Sequence, residues 1–214
     1  MCCDILGKTV DIHMGGEDLK FPHHDNEIAQ TEAYFNSKQW VNYFFHTGHL
    51  HIDGLKMSKS LKNFISIRDA LAKFTPRQLR LMVLLQPWNK VMNFTEGFMN
   101  NDVKSKEKSL VEFFIAVKNL LRTKEGLGLK GEQHWNEKDR QLNSLLLQKQ
   151  DAIHKCMCNN FDTPGVFSHI MALVKSTNDY IHPVNSQALL IRKIATFITR
   201  ILTVFGLNGG LFIC

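Results

Sequence analysis

The most constraining feature of this sequence is a strand, a glycine pair and a helix in close succession near the N-terminus. Residues 9–13 alternate in the manner of a short buried strand. Gly15 and Gly16 predict a turn or loop, because paired glycines weaken both helix and strand. Pro22 suits the first turn of a helix that the apolar spacing extends to residue 35. This succession predicts an α/β domain, in which backbone meets a nucleotide at the carboxyl ends of the strands.

A second constraint is the lysine-rich pentapeptide KMSKS at residues 56–60. It follows an aromatic and β-branched run over residues 41–52, which predicts one buried strand, and the turn signal Asp53-Gly54. Two neighbouring ammonium groups must be solvated or face an anion, because burying either one unpaired is costly. A triphosphate is a natural anion for lysines that close on it in the transition state. The alternative is a solvated basic turn, which is the ordinary interpretation of such a pentapeptide.

The remainder of the chain has a helical pattern. Residues 67–73 predict a short helix, and Thr75-Pro76 predicts the N-cap and first turn of another helix that ends at residue 86. Thr95-Glu96 begins a long amphipathic helix. Residues 123–135, which contain three glycines and several charges, predict an exposed loop. Three further helices are expected at about residues 136–158, 163–180 and 185–205, so the C-terminal half is predicted to be a helical bundle.

Composition excludes some classes of protein and permits others. The 214 residues, 44% hydrophobic and 21% charged, are typical of a globular protein with one large domain or two small ones. No apolar run approaches the length of a membrane-spanning helix, and the N-terminus lacks a secretory signal pattern, so no membrane partner and a cytoplasmic location are expected. The net charge of +6 permits nucleic-acid binding without demonstrating it.

The five cysteines predict neither a disulfide framework nor a zinc knuckle. They are few and odd in number, and a chain of this length folds without such cross-links. Neither Cys2-Cys3 nor Cys156-Met157-Cys158 has CxxC spacing. A structural or incidental role is therefore the simpler interpretation.

The motifs together resemble the cysteinyl-tRNA synthetase family, in its eukaryotic cytosolic form. KMSKS is the signature loop of class I aminoacyl-tRNA synthetases, and residues 11–30 match the family pattern DIHGGGxDLxFPHHxNExAQ. Met14 is the one departure within the glycine run of that pattern. The resemblance continues through HTGHL at 46–50, RQLRL at 77–81 and AIHK at 152–155, and covers nearly the whole chain.

The resemblance implies a ligase that activates cysteine with ATP and transfers it to tRNA(Cys). In the family, a zinc ion held by two cysteines, one histidine and one glutamate binds the substrate thiolate. Carried onto this sequence, the histidine is His23 and the glutamate is Glu27, whereas His24 is not a ligand. The spacing of His23 and Glu27 is compatible with this assignment, because residues four apart on a helix share a face and can converge on one ion. An ordinary surface pair is the alternative interpretation.

The resemblance also assigns an ATP site, with Mg²⁺ accompanying the nucleotide. Gly15, Gly16 and Asp18 match the ATP-binding segment, where backbone lies against the nucleotide and a carboxylate can bond ribose hydroxyls. Lys59 matches the lysine that contacts ATP, and Lys56 would support the pyrophosphate. An ordinary turn remains the alternative for the glycine segment. The three histidines of the run HTGHLH are interpreted as strand or core residues: His46, His49 and His51.

The expected fold class is α/β plus all-α: the C-terminal part of a Rossmann-type catalytic domain followed by a helical bundle. The resemblance divides the chain into four parts: 1–66, the nucleotide-binding part with its KMSKS loop; 67–100, connecting helices of the stem-contact type; 101–206, the bundle; and 207–214, an unassigned tail.

Two features of the family are not found in this sequence: its HIGH-type motif and its two cysteine zinc ligands. Cys2 and Cys3 follow the aligned ligand position rather than occupy it. Two of four zinc ligands and half an ATP pocket predict weak metal binding and little catalysis, so the chain alone is expected to be an inactive fragment. Exposed strand faces would also favour poor solubility or a protein partner. The alternative function is a non-catalytic remnant that binds tRNA or a protein.

Overall fold

The computed structural model describes residues 2–57, 64–126, 135–182 and 186–207. The chain divides into two compact units. The first comprises the described residues of Met1–Phe64 together with Pro87–Phe94, and the second comprises those of Ile65–Gln86 and Thr95–Cys214.

The first unit contains a parallel β–α–β unit. Strands β1 (Val10–Gly16) and β2 (Val41–Thr47) pair in parallel, with Gly15 opposite His46, and helix α2 (Asp25–Phe35) connects them. The short helix α1 (Cys2–Leu6) precedes β1 and is followed by Gly7, whose φ of 89° is accessible to glycine. The α/β character predicted for this region is therefore present in the chain.

The glycine pair does not form the predicted loop, because β1 continues through Gly16. Parallel pairing with β2 satisfies the backbone there without requiring side chains. A 3₁₀ turn (Glu17–Leu19) and a π turn (Lys20–His24) follow, so regular helix begins at Asp25 rather than at Pro22.

The prediction of a single strand over residues 41–52 is also wrong. β2 ends at Thr47, and a second sheet contains β3 (Leu50–Ile52), β4 (Leu55–Lys56) and β5 (Met92–Phe94) in the order β4-β3-β5. The break falls at Gly48, where an added Cβ would lie 1.9 Å from the carbonyl oxygen of Lys90. A close backbone approach that only glycine permits therefore separates the two strands.

The turn between β3 and β4 is as predicted. Asp53 and Gly54 have φ angles of 49° and 80°. Two successive left-handed residues are the geometry of a tight hairpin, for which Asp-Gly is a favoured pair.

The second unit is helical. Its helices are α3 (Ile67–Lys73), α4 (Pro76–Leu84), α5 (Glu96–Phe98), α6 (Lys104–Gly126), α7 (Glu137–Cys158), α8 (Thr163–Tyr180) and α9 (Ala188–Val204), and a π turn (Met99–Val103) joins α5 to α6. Capping boxes at Ser66, Thr75 and Asn136 begin three of these helices. The predicted loop over 123–135 is wrong at its start, because α6 continues to Gly126.

The core of the second unit lies among its long helices. Its fully buried side chains include Phe113 and Phe114 of α6, Leu146 of α7, Phe167 and Ile170 of α8, and Ile191 and Ile198 of α9. No described helix is both long and apolar enough to cross a membrane.

Candidate metal and nucleotide site

Two side chains from different elements meet beside the parallel strand pair. His13 lies on β1 and Glu27 lies in the first turn of α2. The Nε2 atom of His13 is 2.7 Å from Oε2 of Glu27, and both side chains are partly buried. The β–α connection therefore brings together an imidazole and a carboxylate that are 14 residues apart.

The structure also brings together the pair that the sequence predicts as zinc ligands. Nε2 of His23 lies 3.4 Å from Oε1 of Glu27, across one turn of the chain. The His23 side chain is 59% exposed, whereas that of Glu27 is 33% exposed. Glu27 thus presents one oxygen to each of two imidazoles, those of His13 and His23.

His24, to which sequence reasoning gave no role, is the buried histidine of this region, at 3% exposure. Its Nδ1 lies 2.8 Å from Nε2 of His46 on β2, and its ring centroid is 4.5 Å from that of His13. Burial lowers the pKa of His24, and the neighbouring imidazoles of His13 and His46 lower it further. A lowered pKa favours the neutral form of His24, which is the form of imidazole that binds a metal.

Three potential metal ligands converge here. The ligand atoms of His13, His24 and Glu27 all lie within 4.8 Å of one another, and they are the one group of three or more such donors among the described residues. Two imidazoles and a carboxylate are a donor set that suits Zn²⁺. The sequence did not identify His13 and His24 as potential ligands, because their positions depend on strand register and on burial of the ring, which tertiary packing decides.

Cys2 and Cys3 do not belong to this group. Both are half-buried on α1, and Cys3 lines a separate pocket of about 320 Å³ with Gln30 and Tyr34 from later turns of α2.

Gly15 has a role that the structure shows directly. A Cβ at this position would lie 2.8 Å from Cε1 and 2.9 Å from Nε2 of His24, distances that van der Waals contact does not allow. The absence of a side chain on Gly15 therefore makes room for the imidazole of His24. The predicted contact of Gly15 with ATP remains a prediction.

The other predicted nucleotide-site residues are grouped around His49. Nε2 of His49 lies 3.7 Å from carboxylate oxygens of both Glu17 and Asp18. Nζ of Lys56 lies 3.4 Å from the same imidazole nitrogen. Asp18 and Lys56, 38 positions apart in the sequence, are thus both neighbours of His49, which sequence reasoning treated as a strand or core residue.

Gly16 precedes this group at the end of β1. An added Cβ on Gly16 would lie 2.5 Å from Oδ1 of Asp18, so the glycine accommodates that carboxylate. Lys59, the predicted ATP-contacting lysine, lies outside the described residues.

Comparison with known proteins identifies similar sequences and folds. Residues 1–104 match the family model described as tRNA synthetases class I (C) catalytic domain. The chain is 46% identical over 213 residues to the cytoplasmic cysteine–tRNA ligase of Dictyostelium discoideum, covering 97% of this chain and 32% of that protein. It is also 46% identical over 213 residues to the human cytoplasmic cysteine–tRNA ligase, covering 96% and 28%.

Solved structures show the same fold at low sequence identity. A LeuRS from Agrobacterium radiobacter K84, solved with tRNA and LeuAMS, superposes with a TM-score of 0.71 at 16% identity, over 95% of this chain and 28% of the other. Methionyl-tRNA synthetase of Mycobacterium tuberculosis superposes with a TM-score of 0.64 at 17% identity, over 91% and 42%. The predicted fold class, α/β plus all-α, is confirmed.

Residues 1–104 therefore resemble the catalytic domain of the class I tRNA synthetases, which their family model matches. Over nearly its whole length, the chain is similar to the cytoplasmic cysteine–tRNA ligases. It spans between 28% and 32% of the length of the relatives compared above.

Proposed function

We propose that this chain provides part of a cysteine–tRNA ligase, which activates cysteine with ATP and transfers it to tRNA(Cys) in the cytoplasm. The observation that carries the proposal is the 46% identity to cytoplasmic cysteine–tRNA ligases over 213 residues. The geometry supports the proposal, because Glu27 of the motif FPHHDNE lies beside the imidazoles of His13 and His23.

The zinc ligands carried over from the family are His23 and Glu27. Their 3.4 Å separation and the partial burial of Glu27 are compatible with both side chains reaching one ion. When bound, zinc would supply a soft acid that prefers the thiolate of cysteine to the hydroxyl of serine. Among the chain's own residues, His13 holds the Glu27 carboxylate in place at 2.7 Å.

The nucleotide would lie at the carboxyl end of β1, with Mg²⁺ bound to its phosphates. Gly15 and Gly16 offer backbone without side chains, and Asp18 offers a carboxylate for ribose hydroxyls. Lys56 and Lys59 would neutralise negative charge that develops on the phosphates as pyrophosphate leaves. The interaction of Lys56 with His49 keeps its ammonium group close to Asp18.

The second unit would contact the tRNA. The predicted stem-contacting helices over residues 67–100 and the bundle over 101–206 stay assignments by resemblance. A chain with net charge +6 would be attracted to a phosphate backbone, and that attraction would weaken as salt is added.

A second candidate function is a non-catalytic remnant that binds a protein. An exposed apolar face of the sheet in the first unit favours this function. On that face, the exposed fractions of Ile12, Met14 and Tyr43 are 54%, 61% and 68%. A partner that covered this face would remove apolar surface from water. On either proposal we expect the isolated chain to be catalytically inactive.

The test measures zinc content and cysteine-dependent ATP–pyrophosphate exchange. The purified chain is compared with a chimera that adds the upstream segment of a full-length relative. Exchange by the chimera but not by the purified chain would support the proposal that this chain is a part of the ligase and is inactive by itself. Exchange by the chain alone would contradict the expected inactivity, and no exchange by either would favour the non-catalytic function.

A further inference from the structure

His49 lies between β2 and β3, and the fold fixes where its ring can be. The preceding residue, Gly48, donates its backbone N–H to the carbonyl of Trp88 at 3.0 Å, and the carbonyl of His49 accepts the N–H of Met92 at 2.9 Å. The His49 side chain is 23% exposed. Hydrogen bonds on both sides therefore anchor the backbone of a residue whose ring stays within reach of charged neighbours.

One ring nitrogen of His49 has charges of both signs around it. Its Nε2 lies 3.4 Å from Nζ of Lys56 and 3.7 Å from both Oε1 of Glu17 and Oδ1 of Asp18. Without a proton, Nε2 accepts a hydrogen bond from the ammonium; with a proton, it donates to a carboxylate. The nitrogen cannot do both at once, so the two interactions exclude each other.

The distances show which of these interactions the present structure contains. A separation of 3.4 Å is a long hydrogen bond, whereas 3.7 Å is beyond hydrogen-bonding distance, so the ring interacts with Lys56. Gly16 leaves room for a change of partner, because even an added Cβ would lie 3.8 Å from Cε1 of His49. Shortening the gap to Asp18 by about 1 Å would form the alternative hydrogen bond.

We propose that His49 is a positioning residue of the nucleotide site. Its Nε2 holds the ammonium of Lys56 until a polyphosphate draws that lysine away, and it then donates to the carboxylate of Asp18 or Glu17. In this exchange the one proton of the neutral ring moves from Nδ1 to Nε2 through water, so the ring gains and loses no net proton. The inference rests on the proposed ATP site and adds the residue that connects its two ends.

The exchange has two physical consequences for nucleotide binding. The ring keeps a hydrogen-bond partner in both states, so release of Lys56 does not leave a polar nitrogen unsatisfied. A lysine that is already held beside the site loses less conformational entropy when it meets the phosphates. With Oδ1 of Asp18 held by the ring, Oδ2 is available to a ribose hydroxyl, so phosphate and ribose recognition are coupled through one imidazole.

The experiment records ring-nitrogen NMR spectra of the isotope-labelled, purified chain at mildly alkaline pH, where imidazoles are neutral. The nitrogen shifts distinguish a ring nitrogen that carries a proton from one that does not, and the signals lost in His49→Gln identify His49. In the ligand-free wild type we expect Nε2 without a proton. In Lys56→Met we expect the signal to shift to that of a protonated Nε2, because the ammonium is gone and the carboxylates accept from Nε2–H.

Lys73→Met is the matched control, because it removes a lysine ammonium that pairs with Glu96 in the second unit. It should leave the His49 signals unchanged. Lys56 and Lys73 are both exposed, so we expect both variants to fold, and circular dichroism checks this. The proposal is overturned if Nε2 carries the proton in the ligand-free wild type, or if Lys56→Met leaves the His49 signals as Lys73→Met does.

A kinetic test in the chimera described above separates this inference from the ligase proposal. If His49 acts through Lys56, combining His49→Ala with Lys56→Met should lower kcat of pyrophosphate exchange by at least ~3-fold less than the product of the two single losses. Losses that simply multiply would overturn the coupling between the two residues. A chimera without exchange would contradict the ligase proposal alone, and the NMR spectra would still decide whether His49 holds Lys56.

Discussion

The two units of the chain differ in what holds them together. In the first unit, the buried apolar side chains among the described residues are Trp40, Val41, Ile52 and Phe94, while histidines and carboxylates fill the space between β1, β2 and α2. In the second unit, the long helices bury phenylalanine, leucine and isoleucine side chains among the described residues. The candidate site therefore lies where apolar burial is smallest, because its histidines and carboxylates occupy positions that apolar core residues would otherwise fill.

The first unit also leaves apolar side chains of its strands exposed to solvent. Ile12 and Tyr43 are cross-strand neighbours on the β1–β2 pair, and both are more than half exposed. A parallel strand pair normally has both faces covered. The first unit is therefore expected to be the less stable of the two.

The largest effect is expected in the core of the second unit. Phe113 is fully buried and packs edge-to-face on Phe114 with ring centroids 5.1 Å apart. Phe113→Ala should lower the free energy of unfolding by about 3–5 kcal/mol, because it removes apolar burial and leaves a cavity. Urea unfolding followed by circular dichroism measures this change.

Ile115→Ala, on the same helix but 50% exposed, is the matched control. It should cost less than about 1 kcal/mol, since little apolar surface returns to water. Equal losses for the two variants would mean that the helical core does not dominate the stability of this unit.

A smaller effect is expected from Gly15→Ala in the first unit. The new Cβ would meet the buried His24 ring at 2.8 Å, so the ring or the strand must move. Overpacking of this kind costs about 1–3 kcal/mol. Urea unfolding monitored by tryptophan fluorescence, to which Trp40 and Trp88 of the first unit contribute, measures the loss.

Gly97→Ala is the control for this substitution, because an added Cβ there meets nothing closer than 4.0 Å. Gly97 lies within α5, where alanine is the better helix former, so stability should stay level or rise slightly. A Gly15→Ala variant as stable as wild type would show that the contact between Gly15 and His24 imposes no constraint.

The third prediction concerns alkaline pH and the second unit. Burial, together with a hydrogen bond to the buried carboxylate of Asp139, raises the pKa of Tyr180 to about 12. The unfolded chain releases this proton near pH 10 and the folded chain only near 12. The stabilising contribution is therefore complete below pH 10 and is lost as the pH rises through 12.

Tyr180→Phe isolates this contribution, because other groups titrate in the same range in both proteins. The stability difference between wild type and variant should shrink between pH 10 and 12, as measured by urea unfolding at each pH. A difference that stays constant across that window would argue against a proton held by Tyr180 in the folded state.

The smallest effect is expected at the surface. Nζ of Lys73 lies 2.6 Å from Oε1 of Glu96, and both side chains are more than 60% exposed. Lys73→Gln should produce no measurable change in thermal unfolding, because water and salt screen an exposed pair. A clear loss of stability that disappears at high salt would show that this pair contributes more than its exposure suggests.

Local signals in the sequence were sufficient for several helices. The observed bounds of α3 and α8 equal the predicted ones, because each helix begins at a side chain that caps its own first turn. Ser66 accepts the backbone N–H of Asp69, and Asp162 accepts that of Gly165. Capping involves residues three apart, so the sequence displays it directly.

Long-range contacts explain where prediction from sequence was wrong. The strand over 41–52 is broken because Gly48 meets the backbone of Lys90, 42 positions later. The glycine pair stays in β1 because β2 pairs with it. Neither partner can be identified from residues near the glycines themselves.

The sequence by itself determined the class of the protein and placed Glu27 in a candidate metal site, because FPHHDNE and KMSKS are contiguous motifs. Only the tertiary structure decided that His13 and His24 surround Glu27 and that His49 lies beside both Asp18 and Lys56. The reason is physical. Strand register and ring burial depend on which segments pack together, and packing is settled by contacts between residues that are distant in the chain.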